Sequence, residues 1–395
     1  MRTIYFDLLC SQAAKGYKFH GGGEYTKMVF RYYVERKKEN DEEIYALYNT
    51  AEFIDDWIKE LCIEHDVKIV HVNSTKMIAE VLSNSDSTGE TRFFAGMVYP
   101  YNNIVFPSYV YSVGTCHGLR PIEKPTDKYR LAYYNVHNES FIDVMKELTK
   151  NILVNYSLRR YHKLYSSEIK PFKTIVTDSN HSLFSIRLNF PEYADKEIKV
   201  LYPMTQGIKN GIMNSEVSDG KYLMMISANR WTKNCFRAIQ AIDGLYKKGL
   251  LDGYRTRVYG NMPIKLRKKM KYQEMFDFFE YVSSEELEKA YSECSVFLYP
   301  TLNEGFGNVP MEAMKYGKTC VVSAVCSLPE VYQNSVIYCN PYDIMEIQNR
   351  ILQALENKID RTLINERLEY LYQRQKKDME ILCSIISGER ICFDG

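Results

Sequence analysis

Residues 301–318 read TLNEGFGNVPMEAMKYGK, and this stretch decides the fold. It follows a short apolar run at 295–300, the pattern of a strand buried on both faces of a parallel sheet. Gly305, Phe306 and Gly307 form a loop, and a helix opens near Asn308 and Pro310. A strand feeding a glycine-bearing loop and a helix start turns backbone N–H groups and a positive dipole end toward an anion. Glycine lets a ligand come close because no Cβ stands in the way. Glu304 and Glu312, with seven residues between them, place one carboxylate in the loop and one on the helix. Phosphate alone has no use for two carboxylates. A ligand that also carries hydroxyls does, because an ionised carboxylate accepts strongly from O–H. A nucleotide-sugar, with its ribose, diphosphate and hexose, meets both requirements.

The pattern Glu, seven residues, Glu inside EGFGNVPMEAMKYGK resembles the donor-site signature of family 4 of the retaining glycosyltransferases, which have the GT-B fold. The resemblance implies an α/β chain of two Rossmann-like α/β/α domains facing a central cleft, with a C-terminal helix crossing back to the first domain. It implies that Glu312 accepts from the ribose hydroxyls and that Glu304 lies beside the donor hexose. Backbone N–H groups of Gly305, Phe306, Gly307, Asn308 and Val309 would then hold sugar and phosphate.

The totals agree with such a chain. A length of 395 residues sets two domains as the expectation. Hydrophobic residues at 45% and charged residues at 26% are those of an ordinary globular protein. With a net charge of +1, no overall field draws in nucleic acid, and none is expected as a partner. Asp7 interrupts the N-terminal apolar run, and no cleavage pattern follows, so no secretory leader is expected. No apolar run of about 18 residues is present to span a bilayer. Ten cysteines lie scattered without a C-x-x-C pair, which reads as free thiols in a reducing cytosol. The 33 tyrosines read mainly as aromatic filling, with some free to line an acceptor groove.

In the first half, strands are expected at 2–9, 43–48, 67–72, 108–115, 174–179 and 198–202. A loop at 11–20, holding Lys15 and Lys18, leads into Gly21-Gly22-Gly23 and then a helical pattern. The triple glycine suits close backbone approach or a simple flexible turn. In the resembling family this loop meets donor phosphate and acceptor, which assigns Gly22 and Gly23 to the donor site. His117 follows the strand at 108–115 and so sits at a strand end, where ligands of open α/β sheets gather. It resembles the family's histidine that contacts the donor sugar. Gly118 stands where the family often has Asp, and Arg120 follows as a residue for phosphate, acceptor or a surface ion pair. Phe141, Met145, Leu148, Ile152 and Tyr156 recur at helical spacing before the basic run 159–163. That run suits either its own helix's negative end or the phosphates of a membrane surface.

In the second half, a strand at 221–228 runs into Asn229-Arg230-Trp231-Thr232-Lys233-Asn234 and a helix. Arg offers bidentate bonds and Lys a point charge, a pair suited to a diphosphate. The resemblance assigns Arg230 and Lys233 to that task, although their spacing here is shorter than the family's usual one. Further strands are expected at 255–260, 276–282, 319–324 and 335–338, with a capping box at 283–286. The resemblance places the nucleobase against Val282 and its neighbours, and Asn261 is counted with the donor site. From Arg361 a long amphipathic helix carries Ile364, Leu368, Leu371 and Leu382.

These readings divide the chain into an acceptor-binding domain at 1–203, a linker at 204–219, a nucleotide-sugar domain at 220–370 and a returning helix at 371–395. No D-x-D pair is present to cage a divalent ion on the donor phosphates, so no metal or other cofactor is expected. The expectation is a retaining, metal-independent hexosyltransferase, cytoplasmic or at the membrane's inner face. It would act on a glycan or lipid-linked glycan in cell-surface polysaccharide synthesis. Two alternatives stand beside it: a nucleotide-sugar epimerase of GT-B fold, and a non-catalytic nucleotide-sugar-binding subunit of a polysaccharide assembly complex.

Overall fold

The computed structural model describes residues 2–12, 21–36, 42–133, 145, 148–149, 152–204, 211–213 and 220–389. Lys15, Lys18 and Phe141 lie outside them. The chain forms two compact units. The first comprises Met1–Leu119, Arg159–Thr205 and Arg374–Gly395, and the second Arg120–Leu158 and Gln206–Gln373. A boundary at 203 assigns Arg120–Leu158 to the first domain; the chain instead packs that segment with the second unit.

The first unit holds a parallel sheet of β1 (Arg2–Asp7), β2 (Glu42–Tyr48), β3 (Lys68–His71), β4 (Glu90–Ala95), β5 (Tyr111–Cys116), β6 (Thr174–Thr177) and β7 (Glu197–Val200). Their order is β3-β2-β1-β4-β5-β6-β7, so the chain winds outward from β1 and then reverses between β1 and β4. Crevices at such reversals, beyond the carboxyl ends of the strands, are where open α/β sheets take ligands. Ile4, Phe6, Ile44, Ala46, Phe94, Val113 and Val176 fill the core, joined by Met379, Leu382 and Ile386 from the C-terminus. The helix Gly21–Glu35 starts at the glycines themselves, which the sequence reading leaves in a loop. A Cβ on Gly22 would stand 2.4 Å from Met97 Sδ and 3.5 Å from His117 Cδ2, so the glycine is needed for close packing at the helix start.

The second unit holds a parallel sheet of β8 (Tyr222–Met225), β9 (Arg255–Tyr259), β10 (Phe276–Phe279), β11 (Val296–Tyr299), β12 (Thr319–Ser323) and β13 (Ile337–Cys339). Its order is β10-β9-β8-β11-β12-β13, with the reversal between β8 and β11. Local chemistry sets the helix starts. Ser283 and Glu286 form the expected capping box, and Asp343 accepts from the N–H groups of Met345 and Glu346. The strand expected to reach Val282 ends at Phe279, leaving Tyr281 exposed and Val282 half-buried beyond it.

The last helix, Arg361–Ser387, contributes to both units: it belongs to the second as far as Gln373 and to the first from Arg374 on. Within the second unit, Arg367 Nε donates to Val331 O at 2.6 Å. Within the first, Asp378 accepts from Tyr202 N at 2.8 Å and from Arg374 Nε at 2.7 Å. Among the described residues no helix is long and apolar enough to cross a membrane, and no disulfide links the nine described cysteines.

Candidate functional site

The reversal point of the second sheet is flanked by two loops, one leaving β8 and one leaving β11. The first is fixed by Asn234, whose left-handed backbone (φ +58) ends the turn Trp231–Lys233 and opens the helix Cys235–Lys247. Asn tolerates that conformation better than most residues. Its side chain ties the loop down: Nδ2 donates to Pro300 O at 2.9 Å and Pro341 O at 2.8 Å, and Oδ1 accepts from Arg237 at 2.7 Å. The second loop is bonded to the first through Leu302 N to Thr232 O at 2.8 Å. Gly307, at φ +91, turns the chain into the helix Val309–Met314 while Ser327 and Tyr332 donate to the carbonyls of Phe306 and Gly307.

At this junction sits a buried polar cluster. Lys233 Nζ donates to Glu304 Oε1 and to Tyr299 OH, both at 2.5 Å. Tyr299 OH donates to the same Oε1 at 2.9 Å, and Thr301 Oγ1 donates to it at 2.7 Å. All three bonds end on one oxygen, and none of the described residues donates to Glu304 Oε2. Burial pushes the Glu304 pKa up, but the charges of Lys233 and Arg120 and the bonds from Lys233 and Thr301 outweigh it. The carboxyl ends below its ordinary value. Burial also lowers the Lys233 ammonium from its ordinary 10.5. Glu304 opposes that shift, while Arg230 and Arg120 add to it. The two groups meet as an ion pair, Nζ to Oε1, at 2.5 Å. Tyr299 is pushed far up by burial and by Glu304, so it remains a hydroxyl donor.

Of the other expected site residues, Arg230 is exposed, with its Nη2 3.5 Å from Ser227 Oγ. Glu312 lies on the helix Val309–Met314 and accepts from Lys315 Nζ at 2.5 Å. Phe306 is buried, whereas Gly305, Asn308 and Val309 are half-buried; the Asn308 Oδ1 is buried without a hydrogen-bond partner. Asn261 is exposed at the end of β9 and accepts from Arg267 at 3.3 Å.

His117 belongs to the first unit, just beyond β5. Its Nδ1 faces Asp178 Oδ2 at 2.8 Å, and its Nε2 faces Gly96 O at 2.9 Å. Both partners accept, so both ring nitrogens donate and the ring is an imidazolium. Burial lowers its pKa, but the Asp178 charge, the Asp178 bond and the Gly96 carbonyl overcome that and leave it raised. The donor-sugar contact that the resemblance assigns to His117 would be made by a ring whose two nitrogens are already bonded within the first unit. In the same unit a small pocket opens between Leu8, Gln12, Lys27, Tyr48, Phe53 and Asp55, with Lys27 Nζ 2.6 Å from Asp55.

Sequence reasoning missed Tyr299, Thr301, Asn234 and Asp178. Tyr299 and Thr301 hide in an apolar strand and its exit, and Asp178 sits 61 residues from the histidine it serves. Nothing in local pattern marks any of them.

Residues 212–377 match the sequence family described as glycosyl transferases group 1. The serotype-specific mannosyltransferase WbdA of Escherichia coli is 35% identical over 81 residues, 20% of this chain. That match spans a tenth of WbdA's own length. Among solved structures, a sucrose-phosphate synthase from Thermosynechococcus elongatus is similar with a TM-score of 0.64 and 11% identity, covering 96% of both chains. The HepE protein of Anabaena, in complex with UDP and glucose, follows at 0.59 and 14%, covering 97% of this chain and all of that one.

Proposed function

Because this chain has the GT-B fold and carries a glycosyl transferases group 1 domain, we propose that it is a retaining glycosyltransferase moving a hexose from a nucleotide-diphosphate sugar to a glycan or lipid-linked glycan. The observation that carries this reading is the half-used carboxylate of Glu304. Its Oε1 is saturated by Lys233, Tyr299 and Thr301, and its Oε2 remains for a hydroxyl of the donor hexose. Glu312 takes the ribose hydroxyls, Arg230 and Lys233 the diphosphate, and the amides of residues 305–309 the sugar and phosphate. Asn261 and Val282 border the base, and the first unit carries the acceptor.

In the step we propose, the acceptor oxygen attacks the anomeric carbon from the face that the diphosphate leaves. The carbon–oxygen bond to phosphate breaks, and the acceptor's proton passes to the departing phosphate oxygen. Cationic side chains stabilise the charge that develops there, so the step is expected to need no divalent metal. The His117 imidazolium contributes a fixed positive charge at its own strand end. WbdA's name and the UDP held by HepE motivate the setting we propose, polysaccharide synthesis at the cytoplasmic face of a membrane. Exposed Tyr156, Arg159, Arg160 and Lys163 on the helix Val154–Ile169 suit such a surface.

The test is a thermal-shift panel of UDP, GDP, ADP and their sugars, followed by transfer assays with and without EDTA. A true donor raises the melting temperature by mass action. Glu304→Gln is expected to cut transfer by about 100-fold or more while the diphosphate still binds. No shift with any nucleotide-sugar at millimolar concentration sinks the reading. A free sugar or epimer formed without acceptor points to the epimerase, and turnover indifferent to Glu304→Gln points to a binding subunit.

A further inference from the structure

Residues 120–133 lie far from the donor loops in sequence, yet they are strapped to them within the second unit. Glu123 Oε2 accepts from Asn303 Nδ2 at 2.6 Å, next to Glu304. Asp127 accepts from Arg237 at 2.9 and 3.2 Å, and Arg237 in turn donates to Asn234 beside Lys233. Tyr129 OH donates to Gln240 at 3.0 Å, and Arg130 lies 5.4 Å above the Trp231 ring. One end of the strap is thus held by the loop of Glu304 and the rest by the loop and helix of Lys233.

Arg120 heads this strap. Its Nε is buried with no hydrogen-bond partner, and its positive charge acts on both Glu304 and Lys233. Arg230 acts on Lys233 as well. Arg120, Lys233 and Arg230 thus outnumber the two carboxylates, Glu304 and Glu123, on these elements. A charge taken out of water needs a counter-charge, and an excess of positive charge at a partly buried site calls for an anion.

We propose that Arg120 is a third ligand of the donor's diphosphate, its guanidinium donating alongside Arg230 and Lys233 once the nucleotide is bound. The proposal rests on the nucleotide-sugar reading above. The strap supplies position: a guanidinium forks onto two phosphate oxygens only when its backbone is held, and Asn303 and Arg237 hold it.

The experiment is calorimetric titration of wild type, Arg120→Gln and Arg120→Lys with UDP and GDP, and with uridine and guanosine as phosphate-free controls. Arg120→Gln is expected to weaken the diphosphate that wild type prefers by about tenfold or more, leaving the matching nucleoside unchanged. Arg120→Lys should fall between, since it keeps the charge and loses the fork. Diphosphate affinity equal to wild type in Arg120→Gln overturns the proposal while leaving the donor site standing. If Arg120→Gln does not fold, Arg120→Lys decides: weaker diphosphate binding supports the proposal, and unchanged binding overturns it. A wild type that binds none of UDP, GDP and, titrated alongside them, ADP overturns this inference together with the function it rests on.

Discussion

The two units build the same kind of strand-end site and finish it differently. Beyond β5 in the first, His117 is closed: each ring nitrogen has its acceptor, and the charge is answered by Asp178. Beyond β11 in the second, Glu304 is open: one oxygen takes three donors, and the charges of both Lys233 and Arg120 act on the one carboxylate. A balanced cluster maintains itself, whereas an unbalanced one is arranged for something that arrives. The same topology can thus hold a charge whose partners are all in place in one sheet and, on the function proposed above, a ligand-binding charge in the other.

The comparison breaks most easily at Lys233. Lys233→Met leaves Glu304 buried beside fewer cations and is expected to cost about 3–5 kcal/mol in a urea melt, with Glu304→Leu added to it restoring most of the loss. A cost near zero would mean that the pair is not ionised. A smaller effect is expected at Gly307, where φ is +91 and a Cβ would meet Leu328 Cδ2 at 2.5 Å. Gly307→Ala should cost about 1–3 kcal/mol in the same melt, and a neutral result would show that the loop can relax.

The smallest effect belongs to the balanced site. An imidazole whose pKa is raised on folding stabilises the fold fully below its ordinary 6.5, and that contribution fades as pH climbs through the raised value. Asp178→Asn keeps one acceptor and removes the charge, so it should cost on the order of 1 kcal/mol at pH 6 and less at pH 9. NMR titration of His117 should show its pKa falling in that variant. A cost that grows with pH would contradict the imidazolium.

Much of the second unit was legible because its chemistry is local. A strand, two glycines and a helix start lie within eighteen residues, and the capping box at Ser283 and Glu286 is a four-residue pattern. The first unit resisted reading where partners are distant. The apolar pattern does not mark β4, since Arg92 interrupts its run. The structure keeps Arg92 buried by letting it cap a helix from the other end of the chain and lie 4.3 Å from the Tyr111 ring. Phe276–Phe279 reads four residues long where the apolar run suggests seven, because pairing with β9 stops at Tyr259. The strap escaped for the same reason: Asp127 and Arg237 are 110 residues apart, and only the fold brings them together.

Arg92 Nε and Nη2 donate to the carbonyls of Ile386 and Ile385 at 2.5 and 2.7 Å, and Met379, Leu382 and Ile386 complete the first core. On the ribosome, then, the sheet that is made first cannot be completed first. All seven of its strands have been translated by Val200, but the side chains that seal its apolar floor arrive only with the last turns of Arg361–Ser387. Domains usually mature in the order of synthesis. Here the sheet of the first unit has to wait, partly uncovered, until the helix Arg361–Ser387 has been made.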